Sequence, residues 1–491
     1  MKQVNYTKQA YWVALGSLFA FGFTMVSSMV LSRYFNKSDY GTYKQVLYVY
    51  STLLLVFTLG LPKTYAYFLP RYTDNFAKSL IRKISVIFLV LGGIFSMMLF
   101  TFSNQIAEVL KNPDLGLALR IFSPVPLILL PTMGIEGIFA TYHKTKFIAF
   151  YNVASKSFIL LCVVLPVVLW NGSFIEALIG FTIASFISLL FAYYLQSRCL
   201  KGKGNDQTEV TFRDLIHFST PLFTASIWGM LFASSTKFFI SRYHGTEVFA
   251  EFSNGALELP FVGMVVNACS TVLLPLFSKK NSEGVDPQLE ILPIWKRVFE
   301  KTIKITYPLI LFFFFFAYDI MVLLYGNGYY NSGLYFRIMV ISSFFTVIAY
   351  APILIAINSA KFFSNVHMVG AIVLILLQYI STLFIKSSYL ITSIYVICNI
   401  GMIITMMLYI SNYFKTSLFS IIPFKSLTLI LLISMASLFL VEYITNKICG
   451  LQVGLWRLSV CFGLYIIIYF ILSGVFRIDY TYIIKPLKKN I

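Results

Sequence analysis

Apolar runs of about 20 residues recur along the whole chain, and no long polar region separates them. A helical run of that length crosses the hydrocarbon layer of a bilayer. In hydrocarbon every backbone N–H and C=O needs a partner within the protein, so only helices and closed barrels can span. The runs are continuous rather than alternating, which excludes a barrel. The sequence therefore predicts an all-α integral membrane protein.

Composition agrees with this class. Of the 491 residues, 58% are hydrophobic and 12% are charged, and the mean hydropathy is +0.81, far above that of a soluble domain. The runs predict fourteen transmembrane helices, an even number that places both termini on one side. Their approximate spans are 10–31, 45–68, 84–102, 117–141, 147–169, 174–195, 214–240, 249–277, 299–324, 334–357, 365–385, 388–410, 426–444 and 454–475.

Lysine and arginine residues are unevenly divided between the two predicted faces. Most of the 38 lie in the loops that share a side with the termini, which the positive-inside rule assigns to the cytoplasm. Both termini are therefore predicted to be cytoplasmic. The same loops, facing anionic lipid, account for the net charge of +19 without a nucleic-acid partner.

Signatures of catalysis, metal binding and cofactor binding are absent from the sequence. The six cysteines are scattered, with no CxxC pair and no Cys/His cluster, so we expect neither a disulfide framework nor a metal site. No GxxxxGK[ST] loop is present, and the four histidines lack the spacing of a zinc or triad motif. We expect a protein that is not an enzyme and that carries no cofactor.

Two polar stretches are similar to each other and occupy similar places. "SRYFNKSDYGTY" at 32–43 and "SRYHGTEVFAEF" at 241–252 align without a gap, and each is predicted as the outer turn after the first helix of a six-helix set. Because six helices separate them, the copies have the same orientation and are related by a pseudo-two-fold axis along the membrane normal. We expect an N-lobe at 1–200, a C-lobe at 201–413, and two additional helices with a basic tail at 414–491. Binding sites of such transporters lie between the repeats.

The stretch "LSRYFNKSDYGTYKQVLYVYSTLLLVFTLGLPKTYAYFLPRY" at 31–72 resembles the opening of the Wzx-type polysaccharide and O-antigen flippases. These belong to the polysaccharide transport family of the multidrug/oligosaccharidyl-lipid/polysaccharide superfamily. The similarity lies in an Arg-aromatic pair, the Asp39-Tyr40-Gly41 triplet and the Leu59-Gly60 pair, and it continues through 220–245.

The resemblance implies two six-helix lobes that alternate in access. It also implies transport of an oligosaccharide linked to a carrier of the undecaprenyl-pyrophosphate type, from the cytoplasmic to the periplasmic leaflet of a bacterial inner membrane. The product would feed surface polysaccharides such as the O-antigen of lipopolysaccharide, with a polysaccharide polymerase and a chain-length regulator as partners. Lys237 stands where many relatives have an acidic residue, which separates this chain from cation-coupled drug exporters.

Three lysines lie within predicted helices, where a charge costs roughly 2.5 to 3.5 kcal/mol at the centre. Lys156, with Asn152 one turn before it, is the leading candidate for a cation that faces a cavity and binds a phosphate or acidic sugar. A salt bridge to Glu136 is the alternative. Lys63 and Lys237 are further substrate-binding candidates, but both are near helix ends and can instead extend to the headgroups.

Acidic and aromatic residues supply the remaining candidates. Glu251, Asn254 and Glu258 follow i, i+3, i+7 spacing, which predicts one polar stripe on the eighth helix. Glu258 and Glu251 are candidates for proton or cation coupling, or for pairing with Lys237 or Lys156; Glu136 is a candidate of the same kind, for which a structural role is favoured. Trp228 on the seventh helix can stack on a sugar or simply pack between helices.

Arg33 and Arg242 occupy matching positions in the two stretches, near the predicted outer rim. They can meet an acidic sugar, although binding of lipid phosphate is favoured for both. Two other functions are considered. An ion-coupled exporter of small cationic molecules needs an acidic cavity, against which the in-membrane lysines argue. A membrane glycan polymerase needs a larger outer loop than this chain provides.

Overall fold

The computed structural model describes residues 6–71, 74–199, 210–448, 454–478 and 480. Throughout these residues the secondary structure is helical, with no strand. The chain forms two compact units, Met1–Glu251 and Phe252–Ile491. This division falls at the start of the predicted eighth helix rather than before the seventh, and the predicted boundaries of the repeat lobes stay a prediction.

The first unit contains ten α-helices and most of an eleventh within the described residues. These are α1 (Tyr6–Tyr34), α2 (Lys37–Thr58), α3 (Pro62–Phe68), α4 (Asp74–Thr101), α5 (Ser103–Val109), α6 (Asp114–Phe122), α7 (Pro124–Leu129), α8 (Ile135–Thr141), α9 (Thr145–Trp170), α10 (Phe174–Cys199) and α11 (Phe212–Gly255). Short 3₁₀ turns occupy Leu69–Arg71 and Leu130–Gly134.

The second unit continues with the other described helices. These are α12 (Pro260–Ser282), α13 (Pro287–Glu290), α14 (Leu292–Phe315), α15 (Ala317–Tyr325), α16 (Ser332–Thr346), α17 (Ala351–Ala356), α18 (Ala360–Phe384), α19 (Ser388–Tyr413), α20 (Leu418–Ile421), α21 (Phe424–Tyr443) and α22 (Leu455–Val475). A 3₁₀ turn lies at Asn327–Tyr329 and a π-helical turn at Ile444–Ile448.

The predicted all-α membrane class is confirmed. Among the described residues, ten helices are long and apolar enough to cross a membrane. The number becomes eleven if the segment Pro287–Phe315 and helix α15, which meet at a bend of 70°, count as one span. Each of the fourteen predicted spans coincides with one helix or with consecutive helices. The count of fourteen crossings stays a prediction.

Several of the predicted helices are interrupted, among them the second and the eighth. The second breaks between α2 and α3, where Leu59 and Gly60 take left-handed backbone angles, with φ of 49° and 72°. The eighth breaks at 256–259, before α12. In both cases a proline, Pro62 or Pro260, stands at the start of the next helix. Proline has no N–H to give to a preceding turn, and it is favoured at a first helical position.

The second break corrects one prediction about the site. Glu251 lies on α11, whereas Glu258 lies in the non-helical segment 256–259. The single helical stripe predicted for Glu251, Asn254 and Glu258 is therefore wrong. Its spacing was read on a continuous helix, and the backbone leaves helical geometry between the second and third members.

The stretch at 32–43 is mostly helical rather than an extended turn. Helix α1 continues to Tyr34, and α2 begins at Lys37 instead of near residue 45. The Asn36 side-chain oxygen accepts a hydrogen bond from the Asp39 N–H at 2.8 Å, and the Asn36 amide donates to the Asp39 carboxylate at 2.8 Å. The cap satisfies one of the free N–H groups of the first turn, and the second bond holds the Asn36 side chain in place.

The matching stretch at 241–252 has a comparable break. Within α11 only Gly245 has non-helical angles, with φ of 84° and ψ of 175°. Only glycine adopts such a backbone readily. When Ser32 is aligned with Ser241, Asn36 falls opposite Gly245. The same position of each stretch therefore ends one helix and begins the next.

Close packing holds α9 against α1 and α10. A Cβ atom at Gly16 of α1 would lie 2.6 Å from the Ala149 Cα, and a Cβ at Gly180 of α10 would overlap the Cys162 carbonyl oxygen. In membranes such small residues let helix backbones approach one another, and dispersion contacts then hold the pair. These contacts leave no room for a methyl group.

Replacing Gly180 by Ala is therefore expected to destabilise the protein by about 1 to 3 kcal/mol, the usual cost of overpacking. The measurement is the apparent Tm of the purified protein in detergent. Gly22→Ala is the matched control, because a Cβ there meets no atom within 4 Å. Equal melting temperatures for the two variants would contradict the packing at α9 and α10.

Candidate functional site

The exposed residues of the first unit divide into two kinds. On α4 and α10 they are mostly large and apolar, as expected for a surface that faces lipid. Examples are Val86, Leu89, Met97, Ile183, Phe186 and Leu190. A surface lined instead by small or polar groups is one that water can reach.

Helices α2 and α11 present such a surface. On α2, Lys44 and Leu47 are half-buried and Ser51 is exposed, at i, i+3 and i+7. On α11, Gly229 and Ala233 are exposed and Lys237 is half-buried, at i, i+4 and i+8. Residues at these spacings lie on one face of a helix. Each helix therefore has one open stripe of lysine and mostly small residues.

Hydrogen bonds hold the two stripes side by side. The Gln45 amide donates to Ser241 Oγ at 2.7 Å, and the hydroxyls of Thr52 and Ser234 are 3.1 Å apart. Lys44 lies next to Gln45, and Lys237 lies between the two α11 residues. Lys44 and Lys237 are close enough for their ammonium groups to repel each other.

Lys44 was not among the residues singled out from the sequence, where it was placed in an outer turn. Its Nζ donates to Ser28 Oγ at 2.9 Å and lies 5.1 Å from the centroid of the Tyr40 ring. Its proximity to Lys237 depends on how α2 packs against α11. No local pattern carries that information.

Polar contacts continue from these stripes towards the start of α2. Lys37 Nζ is 2.6 Å from Glu251 Oε1, and the hydroxyls of Ser38 and Thr246 are 3.3 Å apart. Gly41 lies directly against the Thr246 carbonyl group. Glu251 therefore has a pairing role, but its partner is Lys37, a residue that the sequence did not indicate.

Lys156 lies on the interior side of α9 and is nevertheless exposed. Apart from Trp170, the last residue of the helix, the large exposed residues of α9 are Phe150, Leu161, Leu165 and Leu169. At about 100° per residue they fall within roughly 100° of arc, and Lys156 lies on the opposite side of the helix. Its own face carries buried Val163 and Val167. The Lys156 side chain therefore reaches an open space inside the protein rather than the lipid.

The alternative partner for Lys156 is engaged elsewhere. Glu136 Oε1 accepts a hydrogen bond from Asn152 Nδ2 at 3.1 Å. No described residue forms an ion pair or hydrogen bond with Lys156. Asn152 and Lys156, which the sequence predicts as i, i+4 neighbours, therefore have different roles. Asn152 donates to the Glu136 carboxylate on α8, whereas the ammonium group of Lys156 has no partner among the described residues.

The contacts described above do not involve the other sequence candidates. Lys63 is exposed in the first turn of α3, directly after the break at Leu59 and Gly60. Trp228 is half-buried on α11, next to exposed Gly229. Arg33 is exposed near the end of α1 and has an interaction within the protein.

Arg242 has a local contact that the sequence did not indicate. Its Nη1 donates to the carbonyl oxygen of Val109, the last residue of α5, and its guanidinium lies 5.7 Å from the Tyr243 ring centroid. A cation at this position satisfies a free carbonyl group and opposes the negative end of the helix dipole. Arg242 therefore caps α5.

Glu258 lines a cavity of about 330 Å³ in the second unit. The segment 256–259, α12, α16 and α19 form its walls. Glu258 is exposed to this space and forms no ion pair with a described residue of its unit. Across the described ranges, no group of three or more His, Cys, Asp or Glu residues is arranged to hold a metal ion.

Comparison with known protein families shows which family the chain belongs to. The sequence profile of the family described as polysaccharide biosynthesis protein matches residues 6–280, more than half of the chain. The chain belongs to this family. The predicted relationship to the Wzx-type flippases is thereby confirmed. Comparison with curated protein sequences gave no match.

Several solved structures share the fold of this chain. The lipid II flippase MurJ in an inward closed conformation has a TM-score of 0.72 at 16% identity, covering 96% of this chain and 99% of its own. An inward-facing multidrug resistance MATE transporter has a TM-score of 0.63 at 11% identity, with 80% and 94% covered. A MOP superfamily transporter from Pyrococcus furiosus has a TM-score of 0.56 at 12% sequence identity, and the match covers 83% of this chain and 95% of that transporter. The chain is a multi-pass membrane transporter of this flippase family.

A double-mutant cycle tests the contact between Lys37 and Glu251. Lys37→Met removes the ammonium group that lies 2.6 Å from the buried Glu251 carboxylate, which costs about 1 to 3 kcal/mol or more for a charged group. The further change Glu251→Leu is expected to restore most of the stability, because no charge then remains buried. Apparent Tm values of the four proteins give the coupling. Additive losses would contradict a direct pair.

Proposed function

We propose that this protein is a flippase for an anionic, lipid-linked oligosaccharide, with a carrier of the undecaprenyl-pyrophosphate type. It moves the substrate from the cytoplasmic to the periplasmic leaflet of a bacterial inner membrane, with both of its own termini in the cytoplasm. The translocated units enter surface polysaccharide synthesis, in which a polymerase and a chain-length regulator act next. Family membership supports the class of substrate, since the family is described by polysaccharide biosynthesis.

Lys156, an exposed residue on the interior side of α9, is the observation that carries the proposal. A charge within a spanning helix is retained at a cost of roughly 2.5 to 3.5 kcal/mol on insertion scales, so it needs water or a partner. No described residue supplies an anion to Lys156. A phosphate group of the substrate fits this need, because lysine binds phosphate as a point charge.

Lys44, Lys237 and Lys63 extend the positive charge within the same unit. Lys44 and Lys237 repel each other, and an anion placed between them offsets that repulsion. An exporter of small cations would place acidic groups on such a surface. The lysines therefore favour an anionic substrate over the multidrug alternative.

Alternating access follows from the contrast between two kinds of helix contact. Helices α1, α9 and α10 meet through glycines that exclude water, and such contacts stay closed. Helices α2 and α11 meet through hydroxyl, amide and charged groups. Water can replace these partners when the helices separate, so opening costs little. We assign this contact to the outer gate, which parts to release the substrate.

Lys156→Ala is expected to lower the flipping rate by about tenfold or more, since a charge-assisted contact contributes about 1.5 to 3 kcal/mol and 1.4 kcal/mol is a factor of ten. Lys156→Arg retains the charge and is expected to keep much of the activity. The assay uses proteoliposomes that contain lipid-linked oligosaccharide extracted from the producing cells. Glycan that becomes accessible to an external glycosidase reports flipping.

The matched control is Lys146→Ala, which removes an exposed lysine from the first turn of the same helix. Its flipping rate is expected to equal that of the wild type. Wild-type protein that moves no lipid-linked glycan would refute the proposed function. Normal flipping by Lys156→Ala would refute only the assignment of this residue.

A further inference from the structure

The cavity beside Glu258 has the dimensions of a small ligand site. Its volume of about 330 Å³ is at the lower end of the range of roughly 300 to 1,000 Å³ for ligand pockets. It would hold roughly ten water molecules, at about 30 Å³ each. A single monovalent cation or proton needs far less room than this.

The lining combines hydrogen-bonding groups with apolar surface. Carboxylate, amide and hydroxyl groups come from Glu258, Asn267, Asn399, Ser342, Ser343, Thr346 and Tyr395. Leu257, Val262, Val266 and Met339 supply the apolar part. Amides and hydroxyls both donate and accept hydrogen bonds, whereas the carboxylate only accepts. One carboxylate is the sole formal charge among these residues.

The shape of the cavity is set by the break in the chain before α12. Because residues 256–259 are not helical, Glu258 is exposed to the cavity instead of lying on a helix surface. Gly263, one turn into α12, is also exposed, and a Cβ atom there would meet nothing within 4 Å. A glycine in a helix interior normally costs stability. Here it keeps the cavity wide.

We propose that this cavity binds a saccharide ring of the lipid-linked substrate. A sugar presents hydroxyl groups that both donate and accept, together with C–H faces that pack on apolar side chains. The seven polar residues and the apolar wall match these two requirements. Glu258 accepts from sugar hydroxyl or amino groups, and Asn399 and Asn267 complete the pattern.

This inference rests on the proposed function and deepens it by giving the glycan its own subsite. It also changes the role expected of Glu258 from coupling to substrate recognition. A coupling carboxylate acts regardless of the glycan, so its loss affects every substrate of the transporter. A recognition residue affects only lipids that carry the sugar.

The test measures Kd for purified full-length protein in nanodiscs with two probes. The first is the lipid-linked oligosaccharide fraction extracted from the producing cells. The second is the same polyprenyl pyrophosphate carrier without its glycan. Gly263→Leu fills the cavity and Asn399→Ala removes an amide. Each is expected to weaken binding of the first probe about tenfold or more and to leave the Kd of the second unchanged.

Matched controls carry the same substitutions elsewhere in the second unit. Gly463→Leu alters another helical glycine whose Cβ meets nothing within 4 Å, and Asn412→Ala alters an exposed residue of α19. Both are expected to bind the two probes as the wild type does. Elution volume and apparent Tm confirm that the cavity variants remain folded.

Three results would overturn the inference. Wild-type protein that binds both probes equally has no glycan subsite. If the cavity variants weaken the binding of both probes equally, or of neither probe, the cavity does not recognise the sugar. Wild-type protein that binds neither probe would instead refute the proposed function, so the two failures are distinguishable.

Discussion

The need to pair every backbone polar group inside hydrocarbon governs this structure. Helices meet that need throughout, and irregular backbone at membrane depth is tolerated only where protein or a water-filled cavity supplies partners. The breaks are therefore informative. Lys63 follows the break after α2, Glu258 lies in the break before α12, and Thr346 precedes the break between α16 and α17. Several polar candidates for substrate contact therefore lie where helices are interrupted, whereas Lys156 lies within an unbroken helix.

Hydropathy alone predicted the class and the approximate spans, because long apolar runs leave one structural solution. The family relationship was indicated by the motifs within 31–72 and 220–245. Hydropathy could not predict where the helices break, because residues 256–259 lie within an apolar run that is typical of a continuous helix. The start of α2 was missed although its capping pair, Asn36 and Asp39, was visible as an N-x-x-D pattern. The polar stretch was read as a turn, and its helix signal was overlooked.

The contacts of the candidate site also differ in whether the sequence could predict them. Lys156 could be singled out because a charge in an apolar run is conspicuous. Its freedom from Glu136 depends on the hydrogen bond from Asn152, which only the packing of α8 against α9 establishes. The pairs Lys37 with Glu251 and Lys44 with Lys237 join residues about 200 positions apart in the chain. Such pairs follow from tertiary structure, and no periodicity in the sequence indicates them.

The central claim is that the polar contact between α2 and α11 must open during transport. Ser38 and Thr246 can be replaced by cysteines in a variant whose six native cysteines are serines, because their hydroxyls are 3.3 Å apart and a disulfide needs a similar separation of short side chains. Flipping in proteoliposomes is then measured after oxidation and again after reduction. The account predicts that the disulfide stops flipping and that the reductant restores it. Unchanged flipping by fully cross-linked protein would contradict the account.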